Sequence, residues 1–286
     1  HSITCSVCGS IETEDHDFSY DANNNVITAS CNKCETTGTA TITAENVTYT
    51  SFAYTNASVS YSDNWPGSKD LTIVFKQEET ILDTAPVNAG DYTAYLEYAG
   101  AEVSAYFTIA KADAAVATAP TAVTGLTYTG SAQGLVNEGT ATDGTMQYSL
   151  EENGTYSETI PAGTNAGDYI VWYKVAGDQN HNDTAPASVA VTIAPKSLEG
   201  AEVGFANCYY SGDVTHSPVI RYIELDGINL SSDDYSMEEC EKKNVGTYDV
   251  AISGKGNFIG TITAQWSISK NGFTSVDGLM LVIEEE

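Results

Sequence analysis

A motif that recurs three times restricts the fold of this sequence more than any other feature. Asn-Ala-Gly-Asp-Tyr occupies residues 88–92 and again 165–169, and Asn-Val-Gly-Thr-Tyr occupies 244–248. The central glycines, Gly90, Gly167 and Gly246, lie 77 and 79 residues apart. A period this regular indicates structural repeats, each of them one supersecondary or domain-sized unit.

Two further landmarks flank this motif in every copy. Each copy opens on a tyrosine followed by small residues: Tyr-Thr at 49–50, Tyr-Thr-Gly at 128–130 and Tyr-Ser-Gly at 210–212. Each copy closes on a short alternating segment: Phe-Thr-Ile-Ala-Lys at 107–111, Val-Thr-Ile-Ala at 191–194 and Trp-Ser-Ile-Ser-Lys at 266–270. Because three landmarks keep one order, the sequence predicts three copies of one unit.

Apolar residues recur at every second position after every Gly-x-Tyr and again in every closing segment. A period of two is typical of a strand with one buried face. Gly-Asp-Gln-Asn at 177–180 and Gly-Lys-Gly-Asn at 254–257 then predict hairpin loops between the last two strands of the second and third copies. No segment combines helical periodicity with helix caps, so we predict an all-β chain.

The number of short strands per copy favours a sandwich of two sheets over a closed barrel. Gly-x-Tyr at the start of the penultimate strand matches the tyrosine corner of Greek-key sandwiches, in which the phenol ties the strand to an upstream loop. The fold class that we predict is therefore a tandem of immunoglobulin-like β-sandwiches, with a small zinc-ribbon-like segment at the N-terminus.

Residues 41 to 270 resemble the bacterial MBG-type immunoglobulin-like repeats of Gram-positive cell-surface proteins. The shared order is Tyr-Thr-Gly, Asn-Ala-Gly-x-Tyr, Gly-x-Gly-Asn-Phe and a strand ending in Ile-Ala-Lys. The first copy departs from this order, because its loop at 98–102 is shorter and lacks Gly-Asn. The resemblance implies an extracellular, modular and non-catalytic stalk or binding array.

Two Cys-x2-Cys pairs stand in the first 34 residues, Cys5 with Cys8 and Cys31 with Cys34. Four thiolates on two such turns suit a structural zinc ion. His1 and His16 flank the first pair, so a mixed site of both histidines with Cys5 and Cys8 is an alternative. One or two disulfides are a third possibility, because an exported protein meets an oxidising environment. The segment from His1 to His16 also resembles short Cys/His modules found beside such repeats.

The other two cysteines, Cys208 and Cys240, both belong to the third copy. They fall on positions that neighbouring strands of a sandwich would occupy, and we predict a disulfide between them. The alternative is two unrelated reduced thiols, because disulfide formation depends on a geometry that sequence does not supply.

Charge and motif content restrict the function. With 39 acidic and 11 basic residues, the formal charge is −28, which excludes a basic surface for nucleic acid or for an anionic membrane. The sequence contains no nucleophile elbow, His-Glu-x-x-His motif or phosphate-binding loop. We therefore predict no catalytic residues and no enzyme. The Asn-rich segment 178–183 departs from a calcium loop and is interpreted as a turn.

Two tryptophans are the candidate ligand-binding residues. Trp65 lies in an Asn-Trp-Pro-Gly turn, where an exposed aromatic ring could stack on a sugar or a partner. Trp172 precedes Tyr173 in one strand, so the two side chains must point to opposite faces, with Trp172 outward or in an inter-domain contact. Packing within the domain is the alternative for both.

The predicted organisation is a Cys-rich module at 1–40, repeats at 41–112, 113–196 and 197–270, and the start of a further segment or a tail at 271–286. Linkers are short, with 19 residues from Ile109 to Tyr128 and 17 from Ile193 to Tyr210, which predicts a semi-rigid rod. We expect an extracellular spacer, at the cell surface or attached to the cell wall, whose partners are neighbouring domains of the same chain. The alternative is an adhesin-type module that binds a glycan or a host protein.

Overall fold

The computed structural model of the chain describes residues 2–4, 11–13 and 15–270, with side chains from residue 15 onward. Within these ranges every regular element is a β-strand, so the predicted all-β fold is confirmed. The described residues form two compact units. Unit 1 holds those up to Ala117 together with Ala141–Met146 and Lys174–Ala185; unit 2 holds Thr118–Thr140, Gln147–Tyr173 and those from Pro186 on.

The strands of the N-terminal part and the first repeat are β1 (Ser2–Thr4), β2 (Ile11–Thr13), β3 (Phe18–Asn23), β4 (Val26–Cys31), β5 (Thr37–Ala44), β6 (Val47–Thr48), β7 (Ala57–Tyr61), β8 (Val74–Gln77), β9 (Thr80–Leu82), β10 (Gly90–Tyr98), β11 (Ala101–Ala110) and β12 (Ala112–Asp113).

The strands of the second repeat are β13 (Ala115–Thr118), β14 (Thr121–Ala122), β15 (Gln133–Gly134), β16 (Val136–Asn137), β17 (Thr140–Thr142), β18 (Gly144–Ser149), β19 (Ala162–Gly163), β20 (Gly167–Gly177), β21 (His181–Asn182), β22 (Ala187–Ile193) and β23 (Lys196–Ser197). Those of the third are β24 (Glu202–Phe205), β25 (Cys208–Tyr209), β26 (Ile220–Leu225), β27 (Ile228–Asn229), β28 (Tyr235–Met237), β29 (Gly246–Gly254), β30 (Phe258–Ile259) and β31 (Thr261–Ser269).

The first sandwich consists of an antiparallel sheet, β3-β4-β5-β7, and a second sheet of order β6-β11-β10-β8-β9. Alternate residues of both sheets meet in one core, among them Ile27, Ile42, Leu96 and Phe107. The period-two pattern is thus present as alternating burial along strands such as β5 and β10.

The division predicted between residues 40 and 41 is wrong, because β5 runs through it from Thr37 to Ala44. Ile27 and Ala29 of β4 are fully buried in the core of the first sandwich. A hairpin of this size has an apolar face that it cannot cover alone. The β3-β4 hairpin therefore extends a sheet of the first repeat instead of forming a separate module.

The shortened loop of the first copy still closes a hairpin. Strands β10 and β11 pair from Gly90↔Ile109 to Tyr98↔Ala101. The two connecting residues, Ala99 and Gly100, have φ angles of 52° and 82°, the left-handed conformation that a two-residue hairpin turn requires. The departure seen in the sequence is therefore a tighter turn, and the hairpin itself is present.

In the third repeat, the sheet β24-β26-β27 lies beside the sheet β25-β31-β29-β28. Leu198, Ile223, Ile252 and Phe258 form the core of one part of this unit, and Trp266 is buried in the other. In the second repeat, β20 pairs with β22 from Gly167↔Ile193 to Tyr173↔Ala187.

The opening tyrosines occupy equivalent places in all three repeats, because each donates its backbone N–H to the closing strand. The bonds are Tyr49 to Ala110 at 2.8 Å, Tyr128 to Ala194 at 2.9 Å and Tyr210 to Ser269 at 2.9 Å. In each repeat the opening segment runs parallel to the closing strand, as β6 with β11, Thr127 with Ala194 and β25 with β31.

The predicted tyrosine corners are also present three times. The hydroxyl of Tyr92 donates to the carbonyl oxygen of Asn88 at 2.9 Å, Tyr169 to Asn165 at 2.8 Å and Tyr248 to Asn244 at 2.7 Å. Each bond ties the start of the penultimate strand to the loop before it. The recurring motif therefore encodes one local structure.

Candidate functional site

The first candidate site is a group of metal-type ligands at the end of the β3-β4 hairpin. Nδ1 of His16 lies 3.2 Å from Sγ of Cys31 and 3.4 Å from Sγ of Cys34, and the three ligand atoms lie within 4.8 Å of one another. Cys31 ends β4 and is buried, whereas His16 is exposed. The hairpin thus brings together one imidazole and two thiols.

These separations fit a tetrahedral ion. Bond lengths of about 2.3 Å to sulfur and about 2.0 Å to nitrogen place tetrahedral N and S ligands roughly 3.5 Å apart. Burial of the Cys31 thiol disfavours its thiolate, but hydrogen bonds from the Lys33 backbone and from Cys34 outweigh this and lower the pKa of Cys31. The thiolate is the form that binds metal, so the donor set suits a thiophilic cation.

The structure therefore joins the second predicted cysteine pair to His16. In the alternative mixed site, His16 acts with Cys5 and Cys8; in the structure it contacts Cys31 and Cys34. His1, Cys5 and Cys8 lie outside the described residues. Cys31 and Cys34 are free thiols.

The second candidate site is a joint between the first and second repeats, contained in unit 1. Asn180, only 7% exposed, accepts a hydrogen bond on Oδ1 from the backbone N–H of Ala89 at 2.9 Å. Its Nδ2 donates to Oδ1 of Asn88 at 3.1 Å. The asparagine of one repeat thus binds the Asn-Ala-Gly turn of the repeat before it.

The backbone beside Asn180 completes this joint. Strand β12, just after the closing strand, pairs in parallel with β21 of the loop, and the N–H of Ala112 donates to the Asn180 carbonyl at 3.0 Å. The ring of His181 packs edge-on against Tyr49 at 5.2 Å. Nζ of Lys111 donates to the Asp178 carbonyl at 2.9 Å.

The same joint recurs between the second and third repeats, inside unit 2. The N–H of Ala166 donates to Oδ1 of Asn257 at 2.7 Å, and Nδ2 of Asn257 donates to Oδ1 of Asn165 at 3.2 Å. Strand β23 pairs in parallel with β30. The ring of Phe258 packs edge-on against Tyr128 at 5.3 Å. We call this arrangement the asparagine joint.

The asparagine joint explains the composition of the repeated motif. The asparagine presents its side-chain oxygen, and the alanine presents its N–H to the incoming loop. Gly90 and Gly167 have φ angles of 156° and 147°, which glycine adopts with least strain. The tyrosine then holds the carbonyl of the same asparagine in place.

Sequence reasoning missed both binding asparagines. The loops at 177–180 and 254–257 were interpreted as turns, although each carries an asparagine at its fourth position. That shared position was the available signal. Because Asn is common in turns for local reasons, its presence in these loops did not indicate a binding role. In the structure, Asn180 is nearly buried and hydrogen-bonded to a residue 92 positions away.

Of the two possibilities for Trp65, the structure shows packing within the domain and not an exposed ring, since the side chain is only 5% exposed and belongs to the core of the first sandwich. Its ring packs against Tyr20, Tyr61 and Tyr98 at 5.2–6.0 Å, and Nε1 donates to the Ser68 carbonyl at 3.1 Å. The turn folds the ring back over the sheet, so Trp65 offers no surface to a ligand.

Trp172 is half-buried on β20, and the adjacent Tyr173 is buried on the opposite face. The predicted alternation is thus present, while a ligand role for Trp172 stays a prediction. Cys208 and Cys240 are free thiols that pack against the same cluster as Trp266. Sγ of Cys240 accepts a hydrogen bond from Nε1 of Trp266 at 3.4 Å. Their pairing as a disulfide likewise stays a prediction.

Facing sheets, parallel closing pairs and tyrosine corners define the chain as a tandem of immunoglobulin-like sandwiches. The described residues contain no α-helix that could cross a membrane, since their regular elements are all β-strands. No protein-family model matches the chain, and no curated protein matches it.

Among the solved structures similar to the chain are fragments of titin and of Sidekick-1. The match to the I-band fragment I67–I69 of titin covers 81% of this chain and 96% of the titin fragment, at 10% identity and a TM-score of 0.32. An E-to-A variant of the same titin domains has the same values. Sidekick-1 immunoglobulin domains 1–5 cover 90% of this chain, which spans 66% of that structure, at 12% identity and a TM-score of 0.26.

Proposed function

We propose that this chain is a non-catalytic extracellular spacer, a segment of a bacterial surface protein that holds other domains away from the cell wall. The MBG-type resemblance of residues 41–270 supports this location and role. The partners of the spacer are neighbouring domains of its own chain. Its acidic surface, with a formal charge of −28, favours solubility and self-repulsion over contact with nucleic acid or anionic lipid.

One observation carries the proposal: in every repeat the opening segment runs parallel to the closing strand. In a parallel pair, the N-terminal end of one strand and the C-terminal end of the other lie at opposite ends. Tension along the chain then loads all their hydrogen bonds together, in shear, instead of opening them one by one. This geometry suits a segment that must transmit force.

We also propose that the metal group is a structural zinc site. His16, Cys31 and Cys34 would supply three ligands, and Cys5 or Cys8 would complete a closed tetrahedron. Zinc would pin residue 16, at the start of the β3-β4 hairpin, to the end of β4. The bound zinc would stabilise the N-terminal end of the first sandwich. With four protein ligands it would leave no coordination position for a substrate.

Force spectroscopy on single molecules of the whole chain tests the spacer function. Tyr210→Pro removes the N–H that Tyr210 donates to Ser269, whereas the matched control Tyr210→Ala removes only the exposed ring and keeps that donor. We expect the rupture force of the third repeat to fall in the proline variant alone. Equal rupture forces in both variants would overturn the proposal that this parallel pair transmits force.

A glycan array and a panel of host proteins, screened with the same chain, test the other class of function. A spacer gives no saturable binding. Saturable binding that is lost in Trp172→Ala would replace the spacer by an adhesin-type module.

A further inference from the structure

The third repeat keeps the corner hydrogen bond of the first two, without a loop bound to its Asn-Val-Gly turn. Tyr248 holds the carbonyl of Asn244, as the other corner tyrosines do. Within residues 15–270, no hydrogen bond reaches the N–H of Val245 or the side chain of Asn244. Val245 is 44% exposed, whereas its equivalents, Ala89 and Ala166, are half-buried.

The opening tyrosine of the third repeat differs from its equivalents in the same way. Tyr49 and Tyr128 are half-buried against the rings of His181 and Phe258. Tyr210 is 41% exposed, and no ring of the described residues packs on it. Two separate parts of the asparagine joint, the polar turn and the aromatic face, are therefore both present and uncovered in the third repeat.

We propose that the surface formed by Tyr210, Asn244 and Val245 binds the hairpin loop of another immunoglobulin-like unit. The loop carries an asparagine at its fourth position and an aromatic or imidazole ring directly after it. Oδ1 of that asparagine accepts from the Val245 N–H, its Nδ2 donates to Oδ1 of Asn244, and the ring packs on Tyr210. The surface continues the interface that the chain already uses twice.

The occupant is a unit joined directly after the closing strand. In both asparagine joints the two residues that follow this strand, β12 and β23, pair with the incoming loop, so the loop and the closing strand belong to one chain. A second copy of the whole chain does not fit, because its first repeat has only the turn of Ala99 and Gly100. Its other two loops already bind their own preceding repeats.

A chain lengthened by one repeat tests the proposal. Residues 1–270 are followed by a second copy of residues 196–286, so that the copied Asn257 stands to Asn244 as the original stands to Asn165. Hydrogen exchange of the Val245 amide is measured against the native chain, with Ala89 and Ala166 as internal references. We expect exchange to slow by about tenfold, as one net hydrogen bond would produce.

The matched control carries Asn257→Ala in the copied repeat only, and we expect its Val245 amide to exchange as fast as in the native chain. Equal protection in the two lengthened chains would overturn the role of the asparagine. No protection in either one, while the copied β29 and β31 amides are protected, would overturn the docking surface itself.

A single substitution in the native chain tests the proposal without relying on the added repeat. Ala166→Val converts the second turn to the Asn-Val-Gly sequence of the third. Because the joint uses the N–H of this residue, we expect the amide at position 166 to remain as protected as that of Ala89. Loss of its protection would show that a valine turn cannot accept the loop, and the proposal would fail.

Discussion

Nδ2 of Asn180 donates a hydrogen bond to Oδ1 of Asn88 at 3.1 Å, although 92 residues separate them. Asn257 bonds to Asn165 across the same separation. The separations are equal because each bond joins the Asn-Ala-Gly turn of one repeat to the last hairpin loop of the next repeat. The chain therefore repeats an interface as well as a domain, and the strength of that interface can be tested residue by residue.

Replacing Asn180 by alanine should loosen the first asparagine joint. The change leaves the Ala89 N–H and the Asn88 side chain without their partner, so we expect the free energy of unfolding of unit 1 to fall by about 1–3 kcal/mol. Hydrogen exchange should accelerate at Ala89 and not at Ala166. Asn153→Ala, in an exposed turn, is the matched control; equal destabilisation by both variants would contradict the prediction.

Removing one corner hydroxyl should weaken its repeat without changing the packing of the ring. For Tyr169→Phe we expect a loss of about 1 kcal/mol, the net contribution of one hydrogen bond, measured by denaturant unfolding. Tyr106→Phe provides the comparison, because Tyr106 is 81% exposed on β11. The interpretation of the tyrosine corner fails if Tyr169→Phe is as stable as the unaltered chain.

Metal analysis of the purified chain should find about one equivalent of zinc. Cys31→Ser or His16→Ala should lower that content sharply, and chelation should lower the thermal stability of the first sandwich. Cys208→Ser controls for the loss of a thiol far from the site in sequence. Zinc content that is unchanged in both site variants would show that other residues hold the ion, and no zinc with all N-terminal thiols oxidised would favour the disulfide alternative.

Lowering the pH should weaken the first asparagine joint, at Asn180, before the second, at Asn257. A hydrogen bond from the Asn180 N–H, followed by the contact with His181, holds the pKa of Asp178 below its usual value of 3.8. A depressed folded-state pKa stabilises the fold above the unfolded pKa, and this contribution is lost as pH falls through the folded value. The second joint has Lys255 at the equivalent place, so it lacks this dependence.

The measurement is an NMR titration of the Ala89 and Ala166 amides from pH 6 downward. We expect the Ala89 resonance to shift below about pH 3.8 while that of Ala166 stays constant. Asp178→Asn should abolish the difference. Parallel shifts of both amides in the unaltered chain would mean that Asp178 does not control the joint.

Much of the fold could be predicted because its signals are local. Strands such as β10 and β29 follow from alternating apolar residues, since side chains of a strand point to opposite faces in turn. The tyrosine corner joins residues four positions apart, so its motif is contiguous. Repetition then extended each local prediction to three places.

Tertiary structure decided which distant segments meet. Trp65 looked exposed in a Pro-Gly turn, yet its ring fills a space among Tyr20, Tyr61 and Tyr98 that exists only once two sheets have packed. The sequence was compatible with a β3-β4 hairpin in a separate module. In the structure the hairpin buries Ile27 against the first repeat, because a single hairpin cannot cover its own apolar face.

In the two candidate sites, too, the sequence identified some residues and the tertiary structure determined their partners. Cys31 and Cys34 were found by their spacing, but their nearness to His16 depends on the pairing of β3 with β4. The partners of Asn180 and Asn257 depend on how one repeat follows another. Short-range periodicity and turn chemistry are properties of a segment, whereas burial and hydrogen-bond partners depend on the packing of surfaces far apart in the chain, which no single segment specifies.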